Sequence, residues 1–105
     1  MAKYDFELLY DKWVIDKDPE AVRNYGIDWT RLLPAGDSIA SVIWTLGGTV
    51  TNPSGLQQIV GNVTFIRIAG GDLGETPWPS ARAKITTALS AEILPITLYF
   101  NMVQQ

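Results

Sequence analysis

The chain has 105 residues, 47% of them hydrophobic, and a net charge of −3 at pH 7, which predicts one domain able to bury its own core. It contains no cysteine and no histidine. Disulfides and thiolate zinc sites are therefore excluded, and the residues that most proton-transfer and transition-metal sites use are missing. We expect a protein that is not an enzyme and uses no cofactor, and the mild acidity predicts no nucleic-acid partner.

The first part of the chain differs from the rest. Alternating Tyr4, Phe6, Leu8 and Tyr10 fit a strand, whereas Phe6, Leu9, Tyr10 and Trp13 also fit one helical face. Pro19 then interrupts the pattern. Residues 1–18 are interpreted as an N-terminal arm or a first edge strand, and residues 19–105 as the main domain. An arm would dock on another subunit by adding a strand or by folding on binding.

Neither export nor membrane insertion is indicated. Charges interrupt the N-terminus, so it lacks the apolar core of a signal peptide. No apolar run approaches the roughly 20 residues needed to cross a bilayer. We therefore expect no membrane partner.

A short strand and a longer one follow. Tyr25, Ile27 and Trp29 alternate with Gly26 and Asp28, and Asp28 is expected to accept backbone N–H bonds at the corner. Residues 37–46 form the clearest strand. Its predicted core face contains Ala40, Val42, Trp44 and Leu46, and Trp44 is a candidate core indole.

The opposite face of this strand is only partly polar. Ile39 and Ile43 are predicted to point outward with Ser41 and Thr45. A neighbouring strand or another chain would cover these two isoleucines.

The middle of the chain predicts one further strand and two loops. Residues 59–69 are apolar on both parities, which is typical of a strand covered on both sides. Residues 70–74 are rich in glycine but lack a P-loop lysine, so a tight turn is expected. Trp78 lies between two prolines, and it could either pack over the core or anchor a partner.

Two strands end the chain. Residues 80–87 alternate with Arg82 and Lys84 on an outward basic side. Residues 92–103 form the last strand, in which Pro95 marks an edge or a bulge. About seven short strands and no long helix predict an all-β, immunoglobulin-like Greek-key β-sandwich.

The order of several motifs resembles a known family. The motifs are Lys17-Asp18-Pro19-Glu20-Ala21-Val22, Tyr25, Ile27-Asp28-Trp29, Leu33, Gly36-Asp37-Ser38-Ile39-Ala40-Ser41 and Trp44. Further similarity lies in Ile66-Arg67-Ile68-Ala69-Gly70-Gly71 and Ile85-Thr86-Thr87. Together they resemble a family of small immunoglobulin-like bacteriophage proteins described as fibre-tail adaptors. That family usually has glycine in its final hairpin, where this chain has Ala88-Leu89-Ser90-Ala91, and the Pro77-Trp78-Pro79 loop looks like an addition.

The resemblance implies a virion structural protein, assembled in the host cytoplasm, that links tail or neck to tail fibres by docking. Its partners would be other virion proteins, contacted by multiple copies in a symmetric assembly. The candidate partner-binding residues are Tyr4, Phe6, Tyr10, Trp13, Ile39, Ile43 and Trp78. One alternative is a capsid decoration protein. Another is a carbohydrate-binding module in which Trp78 stacks on a sugar and Asp72 or Glu75 bonds its hydroxyls.

Overall fold

Two β-sheets face each other in the computed structural model, which describes residues 7–9 and 12–105. The described residues form nine strands and no helix, and nothing in them is long and apolar enough to span a membrane as a helix. The strands are β1 (Glu7–Leu9), β2 (Lys12–Lys17), β3 (Arg23–Asp28), β4 (Ile39–Gly47), β5 (Val50–Thr51), β6 (Gln57–Val60), β7 (Val63–Gly70), β8 (Ser80–Thr87) and β9 (Ile93–Met102). The predicted all-β class is confirmed. Tyr4, Phe6 and Tyr10 lie outside the described residues.

The larger sheet has the order β1-β2-β9-β8-β4. Its β2 runs parallel to β9, and its other pairs are antiparallel. The smaller sheet has β7 at its centre, with β3 on one edge and both β5 and β6 paired to β7. Strand β2 is therefore part of the sheet, and Trp13 and Ile15 on it pack against the core.

The core lies between the sheets, where strand alternation brings apolar side chains together. Ala81, Ala83 and Ile85 of β8 are fully buried, and the even-numbered positions between them face away. The fully buried indole is Trp29, whose Nε1 donates to Thr64 Oγ1 at 2.9 Å. Trp44 packs against this core but is only half-buried.

The prediction that Ile39 points outward is wrong. The β4–β8 register shifts between Ile39 and Ser41, so Ala40 is an extra residue at a bulge. Because a bulge reverses the alternation of faces, Ile39 joins Val42 on the core side, where both pack against the buried cluster. Ile43 remains on the outer side, with 58% of its surface exposed.

The prediction of one strand over residues 59–69 is also wrong. Val60 pairs with Val63, so Gly61 and Asn62 form a two-residue hairpin turn between β6 and β7. Gly61 has φ +60°, which suits the first central position of a type II′ turn. This hairpin and the separate β1 and β2 raise the number of strands above the predicted seven.

Candidate partner-binding surface

Lys17 joins three segments from the end of β2. Its side chain is 1% exposed, and Nζ donates to the carbonyl oxygens of Asp18 at 3.1 Å, Ala21 at 2.9 Å and Gly70 at 2.7 Å. Burial lowers the pKa of the Lys17 amine, and the nearby Asp18 carboxylate opposes that shift. The ammonium group thus holds the end of β7 against the turn that leads into β3.

Asp37 connects the turn before β4 to the hairpin between β8 and β9. Its carboxylate accepts from the backbone N–H of Leu89 at 2.8 Å and of Ser90 at 3.1 Å, and from Ser90 Oγ at 2.7 Å. It also accepts from its neighbour's N–H, that of Ser38, at 2.8 Å. These bonds hold the pKa of Asp37 far below its usual value, and the bond from the Leu89 N–H has the largest effect.

Glu75 closes the glycine-rich loop. The Thr49 hydroxyl donates to Glu75 Oε1, and the Thr49 N–H donates to Oε2 at 3.1 Å. The N–H of Asp72 also donates to Oε1, at 3.2 Å. These bonds lower the pKa of Glu75, and the bond from the Thr49 hydroxyl has the largest effect. Both Glu75 oxygens therefore accept hydrogen bonds that hold Thr49 and Asp72 together.

Asp28 has the role expected from its sequence. It accepts from Thr30 Oγ1 at 2.6 Å and from the Thr30 N–H at 3.0 Å, and these bonds lower its pKa. The structure places no cluster of three or more metal-ligating side chains among its described residues. The carboxylates with lowered pKa values thus bond to nearby loops and turns.

The outer sides of β4, β8 and β9 form one exposed surface. The strand registers arrange it as three rows across the sheet. The rows are Ile93, Thr86 and Ser41; then Pro95, Lys84 and Ile43; then Thr97, Arg82 and Thr45. We call these nine residues the outer face.

The outer face combines apolar and cationic groups. Ile93 and Ile43 are 60% and 58% exposed, and Arg82 and Lys84 are exposed between them. A depression of about 150 Å³ is lined by Ile43, Thr45, Arg82 and Lys84. No carboxylate occurs in the three rows, although the whole chain carries −3. The face is therefore a local positive region on an acidic protein.

Strand β4 forms the border of this face. Within residues 7–9 and 12–105 it pairs only with β8 and ends the larger sheet, so no described strand pairs with the N–H and C=O groups of its other edge. Its nine residues include neither a charge nor a proline. On the same strand, the buried Trp44 Nε1 has no acceptor within the described part of the chain.

The structure separates the predicted partner-binding residues. Trp13 and Ile39 are half-buried and pack against the core, at opposite margins of the sheet. Trp78 is half-buried in the loop before β8. Only Ile43 belongs to the outer face. Arg82, Lys84 and Ile93 lie outside the predicted set, although the alternation around Arg82 and Lys84 indicates an outward basic side.

Comparison with known proteins identifies the family. The sequence matches the family model Gp77, described as podophage GP4 fiber-tail adaptor protein gp77, over residues 17–93. No curated protein and no solved structure gave a significant match. The matched region starts at the buried Lys17, includes Asp37 and extends to Ile93 of the outer face. The chain therefore belongs to the podophage fibre-tail adaptor family, as the resemblance in its sequence indicated.

Proposed function

We propose that this protein connects the tail or neck of a phage particle to its tail fibres by docking, without a chemical step. The observation that carries the proposal is the family match over most of the chain. The structure supports it physically, because Lys17, Asp37 and Glu75 are engaged in holding loops to strands. Such contacts favour a rigid scaffold, and rigid scaffolds bind with little loss of conformational entropy.

The strand order supports an immunoglobulin-like Greek key as the form of this scaffold. In that fold one sheet contains adjacent strands B, E and D, and the other contains C, F and G. Here β3, β7 and β6 are neighbours in one sheet, and β4, β8 and β9 are neighbours in the other. The chain order of these six strands fits B, C, D, E, F and G.

The proposed role includes multiple copies that contact other virion proteins. Exposed side chains on rigid strands suit this role, since each copy would repeat the same contact and weak interfaces would add. Of the selected residues that the structure describes, Ile43 and Trp78 stay proposed contacts, because they are not packed into the described core cluster. Tyr4, Phe6 and Tyr10 lie outside the described residues and also stay proposed contacts. Trp13 and Ile39 would act indirectly, through the strands that they anchor.

The direct test is to remove the gene from a phage that encodes this chain. Particles lacking the protein should retain capsid and tail but lose their fibres in electron micrographs, and the protein supplied in trans should restore them. Fibres on every mutant particle would refute the adaptor role. Loss of capsid stability with fibres intact would instead support a decoration protein, and binding of the purified chain to a glycan array that Trp78→Ala abolishes would support a carbohydrate-binding module.

A second test concerns the N-terminal residues. Removing residues 1–16 would delete most of β2 and expose the side of β9 that it covers. Removing residues 1–11 deletes the three-residue β1 but preserves β2 and its pairing with β9. This variant should fold and yet fail to enter particles if the first residues dock on a neighbour. Circular dichroism checks folding, and mass spectrometry of purified particles measures incorporation. Incorporation at the wild-type level would refute the docking role of these residues.

A further inference from the structure

We infer that the free edge of β4, with the outer face beside it, binds an extended segment of another virion protein that has carboxylates at alternating positions. This inference rests on the proposed adaptor function, because it names the docking surface and the chemistry of the partner. It concerns residues 39–47 and the cations Arg82 and Lys84.

The edge itself favours strand addition. Natural edge strands are usually shielded by charge, proline, bulges or short length. Strand β4 has nine residues, contains no charge or proline, and has its bulge only at Ile39–Ser41. The remaining Ser41–Gly47 stretch can therefore pair its backbone with an extended chain, which is a common mode of peptide recognition.

The charge of the partner follows from β8. An added strand would lie two strand spacings from β8, about 10 Å. The Arg82 and Lys84 side chains project from β8 on the outer side, in the rows of Thr45 and Ile43. Long cationic side chains lie over apolar neighbours while their charged ends extend beyond them, so they can meet carboxylates on the added strand.

The spacing of the cations sets the pattern of the partner. Arg82 and Lys84 are two residues apart on one face of β8, and side chains on one face of the added strand also recur every second residue. Two carboxylates at positions i and i+2 would therefore face the two cations. The exposed Ile43 would pack beside the same face of the partner.

Charge reversal tests the inference in assembled particles. Arg82→Glu with Lys84→Glu should reduce incorporation or fibre attachment by about tenfold or more, as expected for reversed contacts at a charged interface. The matched control is Arg23→Glu with Arg31→Glu, two exposed residues away from the outer face. Each reversal changes the net charge of the chain by −2, so the net charge of both double variants falls from −3 to −7. The control should assemble normally.

Site-specific photocrosslinking identifies the occupant. A benzoylphenylalanine at position 43 should crosslink, in intact particles, to an extended acidic segment of a different virion protein. The same probe at exposed Gln58, on β6 of the other sheet, should not capture that segment. The crosslink at position 43 should fall about tenfold in the Arg82→Glu, Lys84→Glu variant.

The outcomes separate the two proposals. If wild-type particles do not contain the protein, or fibres attach without it, the adaptor function fails. If the protein is required for fibres but the reversed variant supports them normally, only the inference fails. A crosslink from position 43 to a second copy of this chain, to a segment without alternating carboxylates, or to nothing in fibre-bearing particles also overturns the inference.

Discussion

Replacing Lys17 by methionine tests whether a buried ammonium group holds this sandwich together. Methionine keeps most of the unbranched stem, so the change mainly removes the charge and its three hydrogen bonds. The carbonyl oxygens of Asp18, Ala21 and Gly70 would each lose this donor. The turn after β2 and the end of β7 would then lack their shared contact.

The expected cost follows from two opposing terms. The variant leaves three carbonyl oxygens without this donor, and each buried group left unsatisfied costs roughly 1–3 kcal/mol, which gives a loss of about 3–9 kcal/mol. Burial of the amine has its own cost, as its lowered pKa indicates, and the variant recovers that cost. We expect Lys17→Met to lower the free energy of unfolding by about 3 kcal/mol. For a domain of this size each kcal/mol corresponds to roughly 4–8 °C in Tm.

Urea unfolding followed by tryptophan fluorescence and circular dichroism measures this difference. Lys84→Met is the matched control, since Lys84 is exposed on the outer face and should change stability by no more than about 0.5 kcal/mol. The reasoning is refuted if the two variants have the same unfolding free energy.

The pH dependence of the unfolding free energy, compared between the wild type and Lys17→Met, provides a further check. The pKa of Lys17 is lowered from 10.5 in the folded protein, so between the folded and unfolded pKa values the unfolded chain binds more protons. Stability then rises with pH across that window. The wild-type protein should therefore gain stability relative to Lys17→Met as the pH approaches 10.5.

Three other predictions concern the core, the final hairpin and acid stability. Thr64→Val leaves the Trp29 indole N–H without its acceptor and should cost about 1–3 kcal/mol in urea unfolding; a wild-type unfolding midpoint would contradict this. Ala91 has φ +54°, a region that disfavours side chains, so Ala91→Gly should stabilise by up to about 1 kcal/mol, whereas Ala88→Gly should not; equal effects would contradict the backbone argument. Asp37 has a folded pKa below its usual 3.8, so its contribution is present above pH 3.8 and is lost as the pH falls below it. Acid unfolding of Asp37→Ala should consequently depend less on pH in that range than that of the wild type, and parallel curves would exclude this role.

In the final hairpin, the local sequence predicts the two strands, whereas tertiary contacts fix the turn between them. The strands on either side of Ala88–Glu92 were predictable, because each alternates apolar and polar residues. The conformation of the turn was not predictable, since Ala91 adopts a backbone region that glycine prefers. Asp37, 52 and 53 residues from its partners Leu89 and Ser90, supplies the hydrogen bonds that hold this turn. Bonds of such long sequence separation leave no local pattern.

The candidate surface was also predictable only in part. The basic side of β8 was visible as alternation, and Ile43 was correctly placed on the outward side. That Ile39 lies on the other face depended on a bulge, which shifts the register by one residue and has no clear sequence signal here. The residues beside Arg82 and Lys84 also depend on the pairing of β8 with β4 and β9, which the sequence does not specify.

By itself the sequence determined the all-β class, the alternation within β8 and the family, because period-two burial and ordered motifs are properties of neighbouring residues. Tertiary structure decided which strands end each sheet, and therefore that β4 leaves an edge that no other described strand covers. It also placed Lys17 and Asp37 in contact with segments distant along the chain. Sheet order and long-range hydrogen bonds depend on how the whole chain packs, since each strand can in principle pair with several others.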